Sequence, residues 1–181
     1  IQGHALLIGG SYGKMGSVCL SSKAAIKTGC GLVTAFIPKC GYTILQTALP
    51  EVMVITDEND KQLTNIQYHF TPNAIGIGVG IGQEGSTQKA LHHFLMVNQS
   101  PLVIDADGLN ILALHSAWLS LLPPQTILTP HPKELERLLG SWHSEDEKRQ
   151  KTIAFSKKYN VIIVMKGAPT YIIQQDTIYQ N

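Results

Sequence analysis

Short apolar runs alternate along this chain with longer amphipathic stretches. Residues 4–9 (HALLIG) read as a buried strand, and residues 32–37 (LVTAFI) as a second one that Pro38 ends. Similar runs at 52–55, 74–77, 101–105, 126–129 and 161–165 predict further strands. Helices are predicted over about 16–27, 42–48, 86–97, 109–114 and 133–139, with Gly29 and Gly140 as stops. The charged stretch 144–159 predicts an exposed helix or two, and 171–173 with 177–179 a closing hairpin. Strands that are apolar throughout belong to a parallel sheet covered on both faces. The predicted fold is therefore α/β: a three-layer αβα sandwich around a mostly parallel central sheet, one domain over 1–181. A hairpin running up to Asn181 is expected to have no helix left to cover it, which suggests a fragment of a longer chain.

Composition narrows the partners. Of the 181 residues 44% are hydrophobic, enough for one substantial core. Lys plus Arg number 14 and Asp plus Glu 13, a net charge of +1, which gives no electrostatic reason to expect nucleic acid or an anionic membrane. Cys19, Cys30 and Cys40 are odd in number and lack C-x-x-C spacing, so they suit a reducing compartment better than a disulfide framework or a zinc site. No leader pattern and no membrane-length apolar run is visible, and the expected location is the cytoplasm.

In an open parallel sheet, ligands bind beyond the carboxyl ends of the strands. The polar and glycine-rich signals fall there in strand after strand: Gly9-Gly10-Ser11, the loop 78–82 (GVGIG), 105–110 (DADGLN), 129–134 (TPHPKE) and 166–170 (KGAPT). The 78–82 loop lets backbone approach a ligand and aims amides at a phosphate, though a plain strand-to-helix turn explains it as well. It is neither a Rossmann fingerprint nor a P-loop. Asp105 and Asp107 can hold a metal–phosphate, accept a proton or bond a ribose; Asp107 is also expected to cap the helix starting near Leu109, leaving Asp105 the more site-directed. His131, fixed between Pro130 and Pro132, is either a ligand contact or a structural residue. Lys166, ending an apolar strand, must deliver its ammonium to water or to an anion, and a phosphate is the natural partner. His92 and His93 are expected to face solvent.

These motifs together resemble the ADP/ATP-dependent NAD(P)H-hydrate dehydratases of the ribokinase-like superfamily. The matching pieces also include residues 23–33 (KAAIKTGCGLV) and 50–54 (PEVMV), and they run in the family's order over nearly the whole chain. The resemblance implies a nucleotide-driven dehydration of hydrated NADH or NADPH, by phosphorylation of the hydrate's hydroxyl and loss of phosphate. It implies hydrate contacts at Ser17, Gly80, Gly82 and His131, with Asp105 and Asp107 beside them. It places the nucleotide along Lys166, Gly167, Ala168, Pro169 and Thr170. The implied partners are NADH or NADPH hydrate and an adenine nucleotide, ADP or ATP with Mg2+, in a homo-tetramer. Ser17 stands where the family usually has alanine. The family's downstream glycine-rich segment has no counterpart in 1–181, and the catalytic aspartate it carries is expected beyond Asn181. The domain is thus expected to be C-terminally incomplete. The alternatives are a sugar or vitamin-alcohol kinase of the same superfamily, or a catalytically inactive nucleotide-binding module.

Overall fold

The computed structural model describes residues 2–181. The first strand, β1 (His4–Ile8), leads through a glycine turn into helix α1 (Met15–Lys27), and β2 (Leu32–Ile37) follows. Then come α2 (Tyr42–Ala48), β3 (Met53–Thr56), β4 (Ala74–Ile77), α3 (Gly85–Val97) and β5 (Leu102–Ile104). Next are α4 (Asp107–Leu114), β6 (Thr126–Leu128), α5 (Pro132–Leu139), α6 (Glu145–Tyr159) and β7 (Val161–Met165), before the hairpin β8 (Tyr171–Gln174) and β9 (Thr177–Gln180). Two short 3-10 helices, Lys39–Gly41 and Ser116–Leu121, carry no periodic signal in the sequence.

Among the described residues the strands form one sheet in the order β3-β2-β1-β4-β5-β6-β7-β8-β9. Every pairing from β3 to β7 is parallel, while β7-β8 and β8-β9 are antiparallel. All loops that leave β1, β4, β5, β6 and β7 therefore start from the same edge of the sheet. Parallel pairing needs crossover helices, which is why each amphipathic stretch sits between two apolar ones.

The pleat divides the core in two. Leu6, Ile8, Ile77, Ile104, Leu128 and Ile163 face α3, α4, α5 and α6, and form the larger cluster with Leu91, Phe94, Leu109, Leu135 and Phe155. Each such side chain, taken fully out of water, contributes roughly 1.5–3 kcal/mol. On the other face α1 and α2 cover Val33, Ala35 and Ile37 through Met15, Val18 and Leu45. That second layer does not extend along the sheet. Leu7, Val103, Ile127, Ile162 and Val164 stay only partly buried, and a groove of about 400 Å3 runs over β1, β4 and β5. Among the described residues this face is covered by α1 and α2 over β1, β2 and β3, while α3 to α6 dock on the other side.

The charged stretch forms a single helix over 145–159, within the expectation, with the Ser144 side chain accepting from the Glu147 amide and Asn160 ending it in the left-handed region at φ 50°. Other local expectations need correction. The closing hairpin is not without a helix: α6 packs against one of its faces, and buried Ile173 joins the larger core cluster. The Asn181 amide donates to the Thr170 carbonyl at 3.1 Å and its carbonyl accepts from the Thr170 amide at 3.3 Å, continuing the β8-β9 ladder by one pair. His92 does not simply face solvent: its ring stacks on Trp118 at 4.3 Å, and His115 stacks on Trp118 at 4.0 Å. His93 is exposed, as expected. The three free thiols are half-buried beside the smaller cluster, and burial pushes Cys19 and Cys40 above the usual thiol range, with the Asp60 carboxylate adding to the effect at Cys40.

Candidate functional site

The glycine turn after β1 rests directly on the loop after β4. The Ser11 hydroxyl, almost fully buried, donates to the Gly80 carbonyl at 2.7 Å, and the Gly10 amide donates to the Val79 carbonyl at 2.8 Å. Gly80 has φ +65°, and a Cβ there would sit 2.3 Å from the Ser17 Oγ and 2.8 Å from the Lys14 carbonyl oxygen. Only glycine allows so close an approach. Ser17, at the start of α1, donates to the Lys14 carbonyl at 2.9 Å. Ser17 and Gly80, separated by more than sixty positions, are thereby neighbours.

The next link is acidic. The Gly82 amide donates to Asp107 Oδ2 at 2.9 Å, and Lys14 Nζ lies 3.9 Å from the same oxygen. Asp107 is the first residue of α4 and caps nothing; Ala106, at φ 53°, is the N-cap and makes no side-chain bond. The expected cap is therefore corrected. Its carboxylate is drawn sideways onto the β4 loop, where an amide and an ammonium compensate it better than its own helix would.

Asp105 ends β5. Its Oδ1 accepts from the Ala106 amide at 2.8 Å and from Lys166 Nζ at 2.5 Å. The anion that Lys166 meets is this carboxylate. Both side chains remain partly exposed, 44% for Lys166 and 30% for Asp105, so the pair is worth little to stability. An ammonium carries three donors, and the exposed ones stay available to a phosphate. The Lys166 amide also donates to the Pro130 carbonyl at 3.0 Å, tying β7's end to the Thr-Pro-His-Pro segment.

His131 is the N-cap of α5. Its Nδ1 accepts from the Lys133 amide at 3.2 Å and the Glu134 amide at 3.4 Å, while Glu134 Oε2 accepts from the His131 amide at 2.9 Å. This reciprocal capping box gives the histidine a structural task. Its Nε2 lies 3.4 Å from Glu134 Oε1, and the ring is 46% exposed at the same sheet edge. Gly167, Ala168 and Pro169 are exposed between β7 and β8, and the Thr170 hydroxyl donates back to the Gly167 carbonyl at 3.0 Å. Through its two bonds with Thr170, Asn181 brings the end of the described chain up to this same loop.

The predicted positions are thus joined, Ser11 to Gly80, Gly82 to Asp107, Asp105 to Lys166 and Lys166 to Pro130, in one line of contacts across β1, β4, β5, β6 and β7. Sequence reasoning missed Lys14, whose charge within a glycine turn was the available signal, and Glu134, whose place three residues after His131 has capping-box spacing. It also missed Asp57, buried to 1% exposure, which accepts from the Asn59, Thr64 and Asn65 amides and the Thr64 hydroxyl. Burial alone would raise its carboxyl, but those four donors outweigh it and hold the group below the usual carboxylate range. That loop's Lys61 carbonyl accepts from the Tyr12 amide at 2.8 Å, so Asp57 braces the glycine turn from behind.

A parallel sheet closed at one side by an antiparallel hairpin, with its ligand loops on one edge, is a ribokinase-like arrangement. A ribokinase-like superfamily protein from Enterococcus faecalis superposes with TM-score 0.84 and 25% identity, over 99% of this chain and 62% of that one. An ADP/ATP-dependent NAD(P)H-hydrate dehydratase from Bacillus subtilis, co-crystallized with ATP/Mg2+, superposes with TM-score 0.76 and 27% identity, over 99% of this chain and 63% of that one.

Within that class the chain belongs to the NAD(P)H-hydrate dehydratase family, whose model matches residues 5–181. It is 31% identical to a bifunctional NAD(P)H-hydrate repair enzyme of Moorella thermoacetica, over 100% of this chain and 36% of the relative. It is 35% identical to an ADP-dependent (S)-NAD(P)H-hydrate dehydratase of Streptococcus pneumoniae, over 98% of this chain and 62% of the relative. The chain therefore spans between about a third and under two thirds of these relatives' lengths. Among the described residues no helix is long and apolar enough to cross a membrane.

Proposed function

We propose that the complete protein restores hydrated NADH or NADPH to the reduced dinucleotide, driven by ADP or ATP. The nucleotide's terminal phosphoryl group passes to the hydrate's ring hydroxyl; phosphate then leaves as the ring loses a proton and the double bond re-forms. The observation that supports this reading is the line of contacts from Ser11 to Lys166, which gathers two glycine-containing turns, two carboxylates and an exposed lysine on one edge of the sheet.

In this reading Ser17, Gly80 and Gly82 shape the hydrate end, and Asp107 holds the Gly82 amide and Lys14 in place. His131 fixes the start of α5 and offers its exposed ring edge to the hydrate. Lys166 to Thr170 line the nucleotide, with the Lys166 ammonium neutralising the transferring group as charge develops. Asp105 stands between the two ends and sets the direction of that ammonium. Among the described residues no three metal-ligating side chains converge. Mg2+ favours substrate phosphates, waters and one or two carboxylates over a protein cage, so the residues present fit an ion arriving with the nucleotide and touching Asp105 at most. We assign no general base among residues 1–181. A cytoplasmic location, which the three free thiols suit, and a homo-tetrameric state belong to the same proposal.

The test is direct. Complete protein is incubated with hydrated NADH or NADPH and ADP or ATP, and return of the reduced-nicotinamide absorbance is followed. Recovery that depends on nucleotide supports the reading. No recovery, together with phosphorylation of a sugar or vitamin alcohol, replaces it with a kinase.

A further inference from the structure

Beside the strand-end site lies a cavity of about 430 Å3, lined by Gln83, Asn110, Ala113, Leu114 and Arg137. Its walls continue the site's own elements. Gln83 directly follows Gly82, Asn110 lies one turn beyond Asp107 on α4, and Arg137 rides on α5, the helix that His131 heads. Arg137 Nη1 donates to Asn110 Oδ1 at 2.7 Å. That partner is a neutral amide, and among the described residues Arg137 makes no ion pair. A guanidinium aimed by an uncharged anchor keeps its full charge and most of its donors for something else. Its planar fork matches a phosphate in two parallel bonds. Leu114, 62% exposed, adds an apolar surface next to it.

A dinucleotide is too long to fit wholly at the reacting ring, so the rest of it must cross adjacent surface. We propose that this cavity is an anion subsite, in which Arg137, oriented by Asn110 and flanked by Gln83, takes a phosphate group of the dinucleotide hydrate remote from its nicotinamide. The inference rests on the dehydratase reading and adds to it a residue that sets substrate affinity. Hydrated NADH offers only its diphosphate, and hydrated NADPH offers a 2′-phosphate as well.

The test uses complete protein carrying Arg137→Gln, which retains a donor for Asn110 but loses the charge. Loss of a charge-assisted contact predicts a KM rise of about tenfold or more, larger than any fall in kcat. A rise for both hydrates places the diphosphate at Arg137, and a rise for hydrated NADPH alone places the 2′-phosphate there. Gln83→Glu, at an exposed position, sets a carboxylate in the same cavity and should raise KM in the same direction without risk to the fold. KM values within twofold of wild type in both variants overturn the proposal and leave Arg137 a clip between α4 and α5. If wild-type protein turns over neither hydrate, the dehydratase reading fails separately. NADPH titration by its fluorescence then decides the subsite: affinity lost in Arg137→Gln keeps it, and affinity equal to wild type, or no binding at all, removes it.

Discussion

Gly78→Ala should damage this protein far more than its size suggests. Gly78 follows β4 at φ +118°, a conformation that L side chains rarely adopt. A Cβ there would lie 2.1 Å from the Asp105 carbonyl oxygen and 2.9 Å from the Gly108 amide nitrogen. Both are backbone atoms, held by the Gly108-to-Asp105 bond at 3.1 Å and the Asp105-to-Ile77 bond at 3.1 Å, so no side chain can swing aside. Reaching ordinary van der Waals contact requires a shift of about 1 Å in the end of β5 or the start of α4. Backbone strain of about 1–3 kcal/mol and the weakening of one or two such bonds, about 0.5–1.5 kcal/mol each, predict a loss of about 1.5–6 kcal/mol. For a chain of this length that is roughly 3–24 °C in melting temperature. Equilibrium urea unfolding followed by circular dichroism measures it. Gly85→Ala is the control: Gly85 opens α3, has ordinary φ and has no atom within 4 Å of the added carbon. It should gain about 0.5–1 kcal/mol. A Gly78→Ala protein within about 1 kcal/mol of wild type would refute the claim that the β4 and β5 ends are locked by backbone contact.

Other perturbations separate support from chemistry. His131→Ala removes the acceptor for two α5 amides and should cost about 1 kcal/mol in urea unfolding, whereas His131→Asn should restore most of it. If His131→Asn is stable yet raises the KM for hydrate, the ring also touches substrate. Asp57 has its pKa depressed in the folded state, so its contribution is complete above the unfolded value of about 4 and is lost as pH falls through the folded value. The stability gap between wild type and Asp57→Asn should therefore be widest near neutral pH and narrow in acid, which unfolding at stepped pH will read. Lys166→Ala should weaken nucleotide binding to the complete protein by about 1.5–3 kcal/mol, measured by calorimetry; unchanged affinity would remove Lys166 from the site.

Most of the fold is already written in the chain's local pattern. Its seven main apolar runs became the seven strands β1 to β7, and residues 32–37, 74–77 and 161–165 became strands at the very bounds their pattern drew. Apolar periodicity and glycine stops are local signals, readable without knowing what lies across the sheet. The shared ligand edge followed as well, since parallel strands put all their carboxyl ends on one side.

What those residues touch was fixed only on folding. Asp107 had cap spacing, yet its carboxylate serves the Gly82 amide, because the β4 loop offers a donor that no local pattern announces. Lys166 read as a cation awaiting an anion, but only the β5-β7 geometry revealed that Asp105 waits opposite it, 61 positions away. The closing hairpin read as uncovered, and the fold packed α6 against it. Likewise an apolar run gives no sign of which helices will cover each face, so the half-open groove over β1, β4 and β5 was invisible until the chain was folded. Local propensities fix where strands and helices begin and end, while pairings between residues far apart depend on how helices dock, a choice made by the sum of many weak contacts rather than by any one stretch.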